Sequence, residues 1–321
     1  MRFIVTTPVL DGEKFLDETI LSVVTQVGPF SIRYHVQDGG SQDRTLAMLA
    51  AWKQRLEGDF PIGCASVGFS FASARDNGLY DAVDRGFRAC GPGDVMTWIN
   101  ADDRLVPGAF ATVVSMFARY PNIDWVTGRH TMITESGEIL YLSPLIPYPR
   151  QAVAAGIFDG RSTQAFVQQE GTFWRARLWE KAGGLDPRFR LAGDLDLWRR
   201  FARHSDLVSA DTMLGCFRVR EGQLSKNMAK YYAELDASFS PDEVAARAQA
   251  ARRYAIGGFD YLALVRRSGG PWTCQRSPLW LYKLERVRLG VMSRLIRGAA
   301  WCWRLVRGRR VRSAPDSEAA R

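Results

Sequence analysis

Residues 96–110, MTWINADDRLVPGAF, carry an apolar, β-prone run straight into Asn100, Asp102 and Asp103 before Pro107 and Gly108 break the chain. Two adjacent carboxylates at the end of a buried strand repel each other, so something positive should offset them. A hard divalent cation that also bridges diphosphate oxygens is the usual partner of one or two such carboxylates. A solvated turn with both acids in water is the plainer alternative. In sheets of parallel strands, ligands lie beyond the carboxyl ends of the strands, and this stretch has the form such an end should take.

Working outward, apolar β-rich runs recur at FIVTTPV (3–9), IRYHV (32–36) and WVTG (125–128). Between them lie helix-like stretches such as FLDETILSVVTQ (15–26), where Phe15, Leu16, Ile20, Val23 and Val24 fall at helical spacing. The alternation predicts a mostly parallel sheet covered by helices. From about 135 to 165 the Pro- and Gly-bearing segments SPLIPYPRQ and GIFDGRST read as a loop or lobe rather than core, suited to an acceptor lid or a subunit contact. Helical patterns return at ARLWEKAGG (176–184) and DLDLWRRFARH (194–204), and after residue 226 the chain reads as helical with little strand character.

Two further acidic segments follow predicted elements. In VQDGGSQDRT (36–45) Asp38 ends a strand, Gly39 and Gly40 permit a tight turn, and Asp43 opens a helix; an Asx-turn with a helix cap would look the same. In FRLAGDLDLWRRFARH (189–204) Asp194 and Asp196 precede an amphipathic helix, whose positive end accounts for one acid without any further role. The glycine before Asp194 suggests close backbone placement, which makes Asp194 the candidate general base. Trp174, Trp179 and Trp198 read as packing, and His35, His130 and His204 lack metal-ligand spacing.

Composition narrows the class. Across 321 residues, 46% hydrophobic and 24% charged content is that of a folded globular protein, long enough for one large α/β core and an appendage. The net charge of +9 is concentrated: residues 276–312 hold eleven Lys and Arg against Glu285 alone, so the remainder sums to about minus one. That placement, with no legible nucleic-acid-binding motif, excludes a nucleic-acid partner. The five cysteines lack CxxC spacing and fit a reducing compartment, so a cytoplasmic location is expected. No apolar run is long enough to span a bilayer, and strand-like residues 3–9 leave no room for a signal segment.

Four segments in order, TPVLDGEKFLDETILSVVTQ, DGGSQDRT, NADDRLVPGAF and QQEGTFWRARLWEKAGGLDPRFRLAGDLDLWRRF, make the chain resemble the family 2 glycosyltransferases, inverting enzymes with the GT-A fold. A fifth, ARDNGLYDAVDRGF (74–87), is similar to a D-x-G-x-Y-D-A-x-x-x-G segment of many bacterial members. The resemblance implies a nucleotide-binding α/β domain over residues 1–225 and a helical C-terminal extension over 226–321. It implies that Thr7 and Pro8 border the nucleotide base, Asp38 contacts that base, Asp102 meets the ribose, Asp103 binds Mn²⁺ or Mg²⁺, and Asp194 is the base. Glu170 would face the sugar or acceptor. Leu10, Asp11, Gly193 and Arg220 stand where many members have Tyr, Asn, an acid and His; Arg220, always protonated, would contact diphosphate rather than metal.

The implied reaction moves a sugar from a nucleotide-diphosphate donor, with uridine the expected base, to an acceptor hydroxyl, with inversion. The alternatives are a sugar nucleotidyltransferase, which usually shows a Gly-rich basic loop where TPVLDGEKF stands, and a silent nucleotide- or carbohydrate-binding module, which would not need a metal acid and a base together. Projected as a helix, the basic segment places Lys283, Arg286, Arg294, Arg297 and Arg304 opposite Leu284, Val287, Val291, Leu295 and Trp303. Such a helix suits an anionic membrane surface, a lipid-linked or glycan acceptor and a peripheral place on the cytoplasmic face of the inner membrane, in polysaccharide or glycolipid assembly. Docking on the enzyme's own core is the alternative. No oligomeric state is implied.

Overall fold

A computed structural model describes residues 1–223, 227–267 and 270–288. The strands are β1 (Arg2–Val9), β2 (Gly28–Asp38), β3 (Cys64–Ser73), β4 (Val95–Trp98), β5 (Arg104–Leu105), β6 (Trp125–Thr127), β7 (Thr131–Ile133), β8 (Ile139–Leu142), β9 (Thr172–Arg175), β10 (Leu207–Ala210), β11 (Gly215–Arg218), β12 (Asp260–Val265) and β13 (Thr273–Pro278). The helices are α1 (Leu16–Val24), α2 (Thr45–Glu57), α3 (Leu79–Cys90), α4 (Ala109–Arg119), α5 (Arg150–Ala154), α6 (Ala176–Ala182), α7 (Gly193–His204), α8 (Met228–Ala237) and α9 (Pro241–Ala255). A nine-stranded sheet runs β13-β12-β10-β6-β9-β4-β1-β2-β3, and a smaller sheet runs β5-β11-β7-β8. The predicted mixed α/β architecture is the one found.

Strands β1, β2, β3 and β4 pair in parallel, as do β6, β10 and β12, while β9 runs antiparallel between β4 and β6. Helices α1, α2 and α4 cover one face through Phe3, Phe30, Phe110 and Val113; Phe3 and Phe110 stack at 4.1 Å. The other face buries Trp98, Trp125, Trp174 and Trp198 with Phe201, and Trp98 lies parallel to Trp198 at 5.7 Å. Trp174 and Trp198 are thus packing residues. Gly86 explains one fixed position of the 74–87 segment: a Cβ there would come within 1.8 Å of Thr6 Oγ1, so only glycine lets α3 lie this close to β1.

Two expectations change. The stretch 135–165 is not only loop: β8 and α5 lie in it, and Tyr148, Val153, Ile157 and Phe158 are buried in the Trp-rich core. Its prolines break the periodicity that marks core elements, which hides its apolar anchors from a pattern reading. Beyond residue 226, α8 and α9 are helical as expected, but β12 and β13 extend the main sheet past β10. The YLALV of β12 is rich in good helix formers; the free edge of β10 takes its backbone hydrogen bonds and overrides that propensity. Residues 279–288 form a helix; the rest of the basic segment, 289–312, lies outside the described residues.

Candidate active site

The carboxyl ends of β1, β2 and β4 converge, with Val9 level with Asp38 and Thr6 level with Trp98. Asp38 is buried at the end of β2, where Gly40 adopts φ +98° to turn the chain. Its carboxylate accepts from the amides of Gly40 and Ser41 (3.1 Å each) and from the hydroxyls of Ser41 and Ser73. These four donors fill the capacity of a carboxylate, so Asp38 acts first as the lock of its own loop. Thr7 and Pro8 are buried, and Thr7 Oγ1 turns inward to Tyr34 Oη (2.9 Å). The β1 loop is tied to the Asp38 loop instead, through Asp11 N to Ser41 Oγ (2.8 Å) and Gln42 N to Asp11 Oδ1 (2.8 Å). Asp76 leans on the same loop: a Cβ at Gly39 would stand 2.9 Å from Asp76 Oδ2.

The NADD turn separates its two acids by depth. Asp103 is buried, its Oδ1 accepting from Arg218 N (2.8 Å) and its Oδ2 from Asn100 Nδ2 (3.1 Å). The other hydrogen of Asn100 Nδ2 goes to Glu170 Oε1 (3.3 Å), which places a second buried carboxylate beside Asp103. Burial and then the charge of Glu170 hold the Asp103 carboxyl well above the usual carboxylate range, and burial pushes Glu170 up as well. Two carboxyls sharing so dry a site each disfavour the ionisation of the other. Asp102 is the acid at the mouth, its side chain 15% exposed, with Arg220 Nε donating to Oδ2 (2.6 Å). Asp103 lies in the layer beneath, bonded on both oxygens, and Asp102, expected at the ribose, faces outward toward Arg220.

Oxygen atoms suited to a hard cation are present. Asn100 Oδ1 is buried without a hydrogen-bond partner, and Asp102 Oδ1 receives no hydrogen bond among the described residues. No group of three His, Cys, Asp or Glu side chains among the described residues forms a closed cage.

Asp194 lies in the first turn of α7 and is half-buried. Its Oδ1 accepts from Tyr80 Oη (3.1 Å) and from Leu195 N (2.8 Å). Burial raises its pKa to about 6, partly offset by these hydrogen bonds. Asp196 instead pairs with Arg200 (2.7 Å) one turn on, as a helix-surface acid. Gly193 packs on Tyr80: a Cβ would meet its ring at 2.7 Å, which is why no acid precedes Asp194 here. Glu170 and Asp194 are near enough for their charges to interact.

Four contributors escaped the sequence reading. Tyr80 stood inside the quoted 74–87 segment, and Asp76 beside it. Arg218, fully buried, joins Glu18 (2.6 Å), the Asp102 carbonyl (2.7 Å) and the 134–135 turn, and no local pattern marks it. Glu234 of α8 reaches the loop before α7, again without any sequence signal.

Residues 4–157 match the model of the family described as Glycosyl transferase family 2. An uncharacterized glycosyltransferase of Rickettsia typhi is 20% identical over 235 residues, spanning 73% of this chain and 69% of that protein. Among solved structures, S. aureus TarS 1–349 in complex with UDP-GlcNAc aligns with TM-score 0.53 at 14% identity, over 80% of this chain and 73% of that one. GalNAc-T7 with UDP, GalNAc and Mn²⁺ aligns with TM-score 0.50 at 12% identity, over 80% of this chain and 50% of that one. Residues 4–157 thus resemble glycosyl transferase family 2, and the chain has the GT-A glycosyltransferase fold.

Proposed function

We propose that this chain is an inverting glycosyltransferase that uses a nucleotide-diphosphate sugar, with UDP as the nucleotide, and that Asp194 is its general base. The observation that carries the reading is a carboxyl raised to about 6, hydrogen-bonded by Tyr80 and standing beyond the NADD turn. A base is most effective when its pKa lies near the working pH. The nucleotide would lie between the β1 loop and the Asp38–Asp76 loop, with its diphosphate toward Asp102 and Arg220. The UDP-sugar held by the TarS structure agrees with that donor class. The acceptor hydroxyl would approach from the Glu170 and Asp194 side and pass its proton to Asp194 as it attacks the anomeric carbon opposite the diphosphate.

A divalent cation, Mn²⁺ or Mg²⁺, would be held by Asp102 together with the diphosphate oxygens and would supply Lewis-acid stabilisation of the leaving group. Arg220, already 2.6 Å from Asp102, would share that negative charge by turning its guanidinium to the phosphates. The buried Asp103–Asn100–Glu170 group would set the height and orientation of Asp102.

The acceptor is proposed to be a glycan or lipid-linked glycan, met by a peripheral enzyme on the cytoplasmic face of the membrane. Support comes from the helix at 279–288, where Trp280, Leu281, Leu284 and Val287 share one side and are exposed (Trp280 55%, Val287 65%) rather than docked on the core. Lys283 and Arg286 flank that side, and no helix among the described residues is long and apolar enough to cross a bilayer. Cosedimentation with vesicles of phosphatidylcholine and phosphatidylglycerol tests this: the wild-type chain should partition and the combined Trp280→Ser, Leu284→Ser and Val287→Ser variant should not. Equal binding by both would end the membrane reading.

The donor reading is tested by calorimetry and UDP release across UDP-, GDP- and dTDP-sugars, with and without Mn²⁺. Absent nucleotide binding under every condition would leave a silent module as the better description.

A further inference from the structure

We propose that Glu234 is a positioning residue for the reaction: it fixes the loop that presents Asp194 and so makes α8 part of the acceptor half of the active site. This rests on Asp194 being the base. The carboxylate of Glu234 accepts three consecutive backbone amides, Arg190 N at Oε2 (2.9 Å) and Leu191 N and Ala192 N at Oε1 (2.9 and 2.7 Å). Those residues are the last before α7, Ala192 is its N-cap, and Asp194 stands two residues on. Nothing else in the loop satisfies these amides, because α7 begins after them and the side chain of Ala192 carries no acceptor. A carboxylate here also faces the positive end of α7 and makes charge-assisted bonds, about twice as strong as neutral ones.

α8 is also anchored by Tyr231 and Tyr232, which pack on the Trp-rich core, and by Asp236, which pairs with Arg161. Leu235 is its buried residue, and most of its surface is open to solvent. The groups facing Asp194 are then Tyr80 from α3, Tyr231 and Glu234 from α8, and Glu170 from the turn Gln169–Gly171. Glu234 acts on Asp194 in two ways. It holds the loop in place, and its negative charge favours the protonated form of Asp194. Removing the charge should therefore lower the pKa of Asp194 and move the acid limb of turnover to lower pH, whereas a general loss of folding would not move that limb.

The experiment uses the full chain with Glu234→Gln and Glu234→Ala beside Asp194→Asn. It reads UDP affinity by calorimetry, UDP release from the UDP-sugar the wild type hydrolyses fastest, the pH profile of kcat, and amide exchange at residues 190–192. In both Glu234 variants the three amides should exchange faster, UDP affinity should stay within about twofold, and the acid limb should shift down. Turnover at the plateau should fall about tenfold or more in Glu234→Ala, since misplacing a catalytic group by an ångström costs up to about 10²-fold. Glu234→Gln, which keeps an acceptor oxygen, guards against a variant that does not fold. Exposed amides with unchanged kcat and an unmoved acid limb would overturn the proposal, as would a parallel fall in UDP affinity and kcat. Were Asp194→Asn inactive while both Glu234 variants turned over like wild type, the inference alone would fall; wild-type turnover in Asp194→Asn would remove the base assignment and the inference with it.

Discussion

At the scale of single residues, the two acids of the NADD turn illustrate how burial divides labour that sequence leaves equal. Asp102 and Asp103 are neighbours in the chain, yet only Asp102 reaches the mouth and only Asp103 is held from both sides by Arg218 N and Asn100 Nδ2. Asp102→Ala should abolish metal-dependent UDP binding while leaving the melting temperature within a few degrees, as titration calorimetry and a thermal melt would show. Asp103→Ala should do the reverse in kind, lowering stability by about 1–3 kcal/mol because it strands a buried amide donor. Asp194 gives the pH dependence. A base must be ionised to accept a proton, and a pKa near 6 means turnover should fall as pH drops through about 6, well above the range of an ordinary aspartate. In Asp194→Asn, turnover should drop by about 10²–10⁴-fold with UDP affinity retained; a variant within tenfold of wild type would exclude it as the base.

At the scale of elements, α7 carries its function at one end and its anchor at the other. Its first turn holds Asp194 against Tyr80, and its body places Trp198 flat on Trp98 and beside Trp125 and Trp174. Trp198→Ala should cost about 3–5 kcal/mol, read from denaturant unfolding, because the cavity cannot collapse among other large rings. Gly193→Ala is the sharper probe of the site. The added methyl would push the Tyr80 ring aside and loosen its hydrogen bond to Asp194, so kcat should fall with little change in UDP affinity. The helix and strand runs of the N-terminal half were legible because their apolar periodicity was uninterrupted. β12 was not, because its Leu and Ala suit a helix equally and its pairing partner lies some fifty residues upstream.

At the scale of the whole molecule, the C-terminal part is integral to the sheet. β12 and β13 cap its edge, Leu235, Ala250, Phe259 and Leu279 enter the Trp-rich core, and Arg247 pairs with buried Asp159. A chain ending at residue 225 should therefore fail to give a cooperative thermal transition, although the family match ends at residue 157. A soluble, cooperatively melting product of that length would show that the division at 225 is a true domain boundary.

By itself the sequence determined the fold class and the resemblance to family 2 glycosyltransferases, since strands ending in DGGS and NADD and a helix opening on GDLD keep their order and their local chemistry wherever the chain folds. It also picked out Asp38, Asp102, Asp103, Asp194, Glu170 and Arg220 as a set. Tertiary structure alone decided how deep each of them lies, that Asp38 and Asp103 are bonded inward while Asp102 faces out, and that Tyr80 and Glu234 frame Asp194. The reason is physical: a carboxylate's charge state and reach depend on what desolvates and hydrogen-bonds it, and those partners come from segments up to 118 residues away, as Arg220 does for Asp102.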